Sequence, residues 1–236
     1  MVKSKTDTTL YRTPFSPGFW KSAVTSCRDV KMLVLAAMFC ALRIAIKSLS
    51  IPVGESLHIS LDFFVNSVGS MIYGPLMALL VGAVSDTVGA ILFPTGQYFF
   101  PFVFVEMSSG FLFGLFLYRA KLGEIRIALS RAAVVDFCNF LLNPIIMKWY
   151  YRVIMGKDYT LFRWARMIKN LVLLPAEMIL LTVWLTTMSA VTYRLGLTFD
   201  PPGQFKLTKK TVLMAVLATL FSSVCILYYI LIYLKK

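Results

Sequence analysis

Histidine is nearly missing from this chain: His58 is the only one in 236 residues. Cysteine is sparse too, and the four present, Cys27, Cys40, Cys138 and Cys225, form no CxxC pair. One imidazole and scattered thiols leave a zinc or thiol redox site without a ligand set. Acidic residues are few, 11 Asp and Glu against 24 Lys and Arg, for a formal net charge of +13. Isolated acids and a lone histidine also deny an enzyme its nucleophile and base at workable spacing, so no catalytic residue, metal or cofactor is expected. The phosphate-cradling pattern GxxxxGK[ST] is missing, so no P-loop nucleotide site is expected in this chain. A cleavable signal peptide is not visible either: the first thirty or so residues are polar and basic and lead into a full-length apolar span.

What abounds is apolar surface. The composition is 58% hydrophobic and 14% aromatic, with a mean hydropathy of +0.76, well above a soluble domain. Several runs reach the roughly twenty residues a helix needs to cross hydrocarbon, whereas barrel strands would be shorter and alternating. The expected class is an all-α integral membrane protein with the lipid bilayer as solvent. The cations lie at helix ends and in connectors, which reads as topology and gives no reason to expect a nucleic-acid partner.

Charge then orders the chain. The start carries Lys3, Lys5, Arg12, Lys21, Arg28 and Lys31, which places a tail over 1–30 in the cytoplasm, with a short interfacial helix around Trp20. Spans are expected at about 31–49, 58–73, 76–93, a fourth ending at "YRAKLGEIR", 127–155 and 161–195. Together they make a six-helix bundle over 31–196, in the cell membrane, multi-pass, with the N-terminus cytoplasmic. A linker at 197–208 leads to an additional hydrophobic helix at 209–236, which either crosses the bilayer or lies against the bundle or a partner. One connection breaks the positive-inside pattern. The count puts the fifth-to-sixth connection outside, yet it holds Lys148, Arg152, Lys157, Arg163, Arg166 and Lys169.

That cluster interleaves cations with Trp149, Tyr150, Tyr151, Tyr159, Phe162 and Trp164. An aromatic belt accounts for some of the rings, but the combination suits a flat anionic organic molecule, with arginine clamping carboxylates and rings stacking on rings. Ionisable residues within the spans, Arg43, Asp62, Asp86, Glu106, Asp136 and Glu177, must face a cavity, a partner or the bundle interior. Arg43 and Lys47 stand one turn apart and either snorkel to the outer headgroups or take internal partners; Asp86 and Glu177 are either those structural partners or ligand contacts, and Asp136 is expected to pair with Arg131 or Arg126 and to take no substrate role. Asn139 and Asn143, at i and i+4, either read a heterocycle edge from one cavity or bond between helices. Ala37, Ala41 and Ala45 form a small-residue ridge that allows close approach of another helix, from a partner or from the chain's own bundle.

The blocks "ALRIAIKSLSIPVGESLHIS", "YGPLMALLVGAVSDTVGAILFPTGQYFFPF" and "RMIKNLVLLPAEMILL", in that order, resemble the S components of energy-coupling factor (ECF) vitamin transporters, and among them the folate group. The resemblance spans about 32–195. It implies a six-helix membrane subunit that binds a folate-like substrate from outside and works with a transmembrane coupling protein (EcfT) and two ATPases. It further implies Arg43, Tyr98, Arg166, Lys169 and Asn170 as substrate-binding residues, joined here by Asn139, Asn143 and Trp149. In this division Arg43, Arg166 and Lys169 neutralise carboxylates, the asparagines read the ring, and Tyr98 and Trp149 stack or close the pocket. Ala37 and Ala41 would face the coupling protein. Three residues depart from the group's pattern: His58 where arginine is expected, Asp62 in place of a small residue, and Glu106 in place of a small or hydroxyl residue. The alternative is an S component for a different vitamin or small ring compound, with Asp62 and Glu106 facing a more basic ligand.

Overall fold

The computed structural model describes residues 9–47, 51–54, 57–59, 61–94, 97–157 and 164–200 with scattered positions between 209 and 227, and gives the backbone alone at 51–54, 57–59, 164–166 and 168. The 201–208 part of the expected linker and most of the 209–236 helix lie outside the described residues, as do Tyr159, Phe162 and Arg163. The positions described between Lys209 and Leu227 are helical.

Helix α1, Pro17–Ser26, starts with proline in its first turn, where the missing N–H costs nothing. It contains Trp20, at the place the sequence indicated. Phe19 and Ala23 are buried against Tyr118, whose hydroxyl lies 2.7 Å from Ser26 Oγ. The Tyr11 amide donates to the Arg119 carbonyl at 2.7 Å. The N-terminal segment therefore caps one end of the bundle.

Helix α2, Val30–Lys47, buries Ala36, Cys40 and Arg43 and turns Val34, Met38 and Leu42 outward. A short antiparallel hairpin follows, β1 (Ile51–Gly54) with β2 (Leu57–Ile59), pairing Ile51 with Ile59 and Pro52 with His58. The second span is thus shorter than the sequence implied. Residues 57–59 are strand, and helix α3 runs only from Asp62 to Tyr73, 12 residues or about 18 Å. Apolar runs of this kind do not distinguish a strand from the first turn of a buried helix by periodicity. Nearly every α3 side chain is buried, as befits a helix enclosed on all sides.

Gly74, at φ +89°, makes the reversal into α4, Pro75–Leu92; this left-handed backbone is open to glycine at little cost. A 3-10 turn at Phe100–Phe102 leads into α5, Val103–Leu117. Helices α4 and α5 touch through glycines. A Cβ on Gly82 would stand 2.8 Å from the Glu106 carbonyl oxygen, one on Gly110 2.8 Å from that of Ala78, and one on Gly114 2.5 Å from Pro75 Cα. Gly110 and Gly114 make a GxxxG face that brings the two backbones together.

The fifth span is one continuous helical stretch: α6 (Glu124–Val134), a π segment (Val135–Leu142), α7 (Asn143–Tyr150) and a second π segment (Tyr151–Met155), closed by Gly156 in the left-handed conformation. Pro144 has no amide to give and its ring crowds the preceding turn, so the wider π turns before it take up the mismatch. Helix α8, Trp164–Arg194, has 31 residues with Pro175 inside. Its inward stripe, Met167, Leu174, Met178, Leu181 and Leu185, is fully or almost fully buried. Among the described residues, Pro75–Leu92, Phe100–Leu117 and Lys169–Arg194 are long and apolar enough to cross a membrane.

The glycine contact makes a direct test. Gly114→Ala forces backbone apart and should cost about 1–3 kcal/mol, read as a lowered thermal midpoint in detergent. Gly123→Ala, where a Cβ meets nothing within 4 Å, should leave the midpoint unchanged. Equal midpoints for the two variants would contradict the packing of α4 on α5.

Candidate functional site

Charge converges where α2, α3, α4 and α5 meet. Arg43 is completely enclosed and turned inward, so snorkelling to headgroups is not its state. Its Nε donates to Asp62 Oδ1 at 2.9 Å and its Nη2 to Asp62 Oδ2 at 2.7 Å, a fork that matches guanidinium to carboxylate. Nη2 also donates to Glu106 Oε2 at 2.6 Å. One turn on, Lys47 Nζ donates to Asp86 Oδ1 at 2.8 Å and stands 3.7 Å from Glu106 Oε1. Each cation has its own acid, and Glu106 is shared between them. Asp86 is thereby a partner of Lys47, one of the two readings its sequence position allowed.

Burying this many charges is tolerable only because they are paired and hydrogen bonded. The fold supplies the means: the Gly82 contact draws α5 close enough for Glu106 to reach α2, and Asp62 sits in the first turn of α3, where the helix dipole favours negative charge. A second pair lies between α6 and α8. Arg131 donates through Nε and Nη2 to Glu177 Oε2 at 3.1 and 2.9 Å, with its guanidinium 4.0 Å from the Phe63 ring centroid. Glu177 is therefore a structural partner, but of Arg131 on α6 and not of Arg43 or Lys47 as its sequence position suggested.

Of the remaining candidates, Tyr98 and Trp149 are drawn together through aromatic contacts. Tyr98 is exposed and its hydroxyl is 3.3 Å from Thr87 Oγ1 on α4. Its neighbour Phe99 meets Trp149 edge to face at 5.4 Å and Tyr150 at 5.5 Å, so the Tyr98 loop and the end of α7 are brought together. Asn139 lies in the π segment and Asn143 opens α7, both half-buried. Lys169 and Asn170 are half-buried on the first turns of α8, with Asn170 continuing the inward stripe of Met167 and Leu174. Arg166 is on the same helix, and its side chain lies outside the described residues. Ala37 and Ala41 are exposed on the outer face of α2, opposite Arg43.

The pairing of Arg43 with Glu106 and Asp62 escaped the sequence reading, although all three residues drew notice. Helical spacing reports which residues share a face but not which helix packs against it. Phe99 was missed altogether; within the aromatic run Tyr98, Phe99 and Phe100 nothing periodic singles it out. A cavity of about 550 Å³ lies at the other end, lined by residues of α1, the α5 terminus and 196–200, including Arg28, Arg119 and Asp200. No predicted site residue lines it.

Comparison with known proteins places the chain among transporters. A family model described as "ECF-type riboflavin transporter, S component" matches residues 28–194. The folate transporter FolT of Clostridium novyi (strain NT) is 26% identical over 157 residues, covering 65% of this chain and 87% of that protein. FolT of Streptococcus mutans serotype c is 30% identical over 141 residues, 57% of this chain and 76% of the relative. A solved structure titled "Crystal structure of FolT bound with folic acid" shares 27% identity and a TM-score of 0.56, covering 64% of this chain and 88% of that one.

The charge cluster predicts its own energetics. Arg43→Ala takes the guanidinium from Asp62 and leaves Glu106 to Lys47, and should cost about 3–5 kcal/mol, visible as a fall in the thermal midpoint of the ligand-free protein in detergent. Arg43→Met combined with Asp62→Leu and Glu106→Gln should recover most of that loss. If the single and triple variants melt alike, the charges are not buried as described.

Proposed function

The chain belongs to the family of ECF-type transporter S components, and from that premise we propose that it captures folate or a related folate from outside the cell for ATP-driven uptake. As an S component it is a multi-pass membrane protein and a substrate-binding subunit, not an enzyme, and it works with an ECF module. The observation that carries the folate reading is the likeness to the folic-acid-bound FolT structure, 88% of which this chain covers.

Six spans over 31–196 form the binding domain in this reading, with 1–30 as a cytoplasmic tail, 197–208 as a linker and 209–236 as an additional hydrophobic helix. The finer partners are a transmembrane coupling protein, EcfT, and two ATPases. Exposure of Ala37 and Ala41 beside Met38 and Leu42 supports that face of α2 as the docking ridge, since small residues allow close helix approach. The substrate site draws on Arg43, Tyr98, Asn139, Asn143, Trp149, Arg166, Lys169 and Asn170. The convergence of the Tyr98 loop with Trp149 supports those two, and the cationic start of α8 beside Trp149 in sequence supports Arg166 and Lys169. A second reading, uptake of riboflavin, is favoured by the description of the matching family model.

Two measurements test this. Titration of the purified protein with folic acid should quench tryptophan fluorescence saturably, and Arg166→Ala with Lys169→Ala should weaken binding at least tenfold. Saturation by riboflavin and not by folic acid would favour the second reading. Separately, Ala37→Phe with Ala41→Phe should abolish copurification with the coupling protein while folic acid binding persists. Retained copurification would move the docking face elsewhere.

A further inference from the structure

Among the described residues the charge cluster counts two cations, Arg43 and Lys47, against three acids, Asp62, Asp86 and Glu106. Asp62 and Asp86 each answer one cation, so Glu106 carries the surplus negative charge. Glu106 is also the most open acid of the set, its side chain 27% exposed against 10% for Asp62 and 16% for Asp86. The guanidinium is only partly used. Asp62 takes the edge made by Nε and Nη2. In a planar guanidinium the second Nη2 hydrogen points toward the Nη1 side, and that hydrogen goes to Glu106. Nη1 is left on the edge beside Glu106, buried and with no acceptor among the described residues. A buried donor of this kind lacks the compensation that burial ordinarily requires.

We propose that Glu106 and Arg43 Nη1 together read the edge of the substrate's ring: an oxo group accepting from Nη1, with adjacent N–H donors on the free Glu106 lone pairs. The 4-oxo, N3–H, 2-amino edge of a pterin has this order of one acceptor and two donors. The inference rests on the folate reading and names the end of the molecule that faces α2. It reassigns Arg43, which is already neutralised, from the substrate's carboxylates to its ring; a site with surplus negative charge repels a carboxylate. It also makes Glu106 a specificity residue. An isoalloxazine ring offers an oxo group on both sides of its N–H, so its second oxo would face a carboxylate oxygen with no proton between them, a mismatch that discriminates strongly in a buried site.

The test uses the full chain in detergent, with Glu106→Gln, and follows binding of folic acid, of pteroic acid, which lacks the glutamate, and of riboflavin. Glutamine keeps one acceptor for Arg43, which retains its Asp62 fork; Glu106→Ser replaces it if the glutamine variant does not fold. The expected result is that folic and pteroic acids weaken by the same factor, about tenfold, because both carry the same ring, and that the gap to riboflavin narrows. Tighter folic acid binding in the variant, as removal of a negative charge beside a carboxylate would give, overturns the inference alone. So does unchanged binding. Failure of the wild-type chain to bind either pteridine overturns the folate reading itself and this inference with it.

Discussion

An arginine sealed among membrane helices must be compensated, and here that requirement fixes how four helices assemble. The acids that face Arg43 and Lys47 come from three different elements, Asp62 from α3, Asp86 from α4 and Glu106 from α5. Each must arrive within hydrogen-bond reach, because a buried charge left alone costs more than most single packing contacts contribute. Gly82 is a precondition: with any side chain there, α5 would stand off and Glu106 would fall short of Arg43. Packing and electrostatics are therefore one constraint in this part of the bundle. The start of α3 fits the same constraint, since its first turn presents Asp62 to Arg43.

Elements with chemical punctuation were legible from sequence. The break expected between the spans at 58–73 and 76–93 falls at the Gly74 reversal into α4, the basic "YRAKLGEIR" stretch marked the turn into α6, and the N-terminal helix stood around Trp20 as anticipated. The strand at 57–59 was not legible, because hydrophobicity alone carries no period over so few residues. Nor were the π segments around Asn139 and Asn143. They answer Pro144 and the local packing, and no propensity encodes them. The wider turn leaves the two asparagines a little under one turn apart, so the shared face inferred from α-helical spacing survives in altered form.

The site was legible as an inventory and not as a set of pairs. Arg43 and Lys47 stood out as intramembrane cations, and Asp62 and Glu106 as residues foreign to the resembling group. Their assignment to one another needed the three-dimensional arrangement. The reason is general: an ion pair between helices is a long-range contact, and composition constrains only that some partner exists.

Two charged regions of opposite character then define an axis. The start of α8 and its preceding connection are rich in Lys and Arg, while the cluster at α2 to α5 has an acid to spare. A substrate with an uncharged ring at one end and carboxylates at the other would feel both, its anionic end held toward α8 and its ring toward Glu106. The aromatic contact of Phe99 with Trp149 and Tyr150 lies toward the same end of the bundle as the start of α8, where planar groups could stack along the way. Orientation in such a site comes from repulsion as much as attraction, because reversing the molecule would set its carboxylates against Glu106 and leave Arg43 Nη1 without an acceptor. In the pose inferred above, that asymmetry gives Glu106, an acid absent from the group's usual pattern, a physical reason: its surplus charge disfavours the reversed pose.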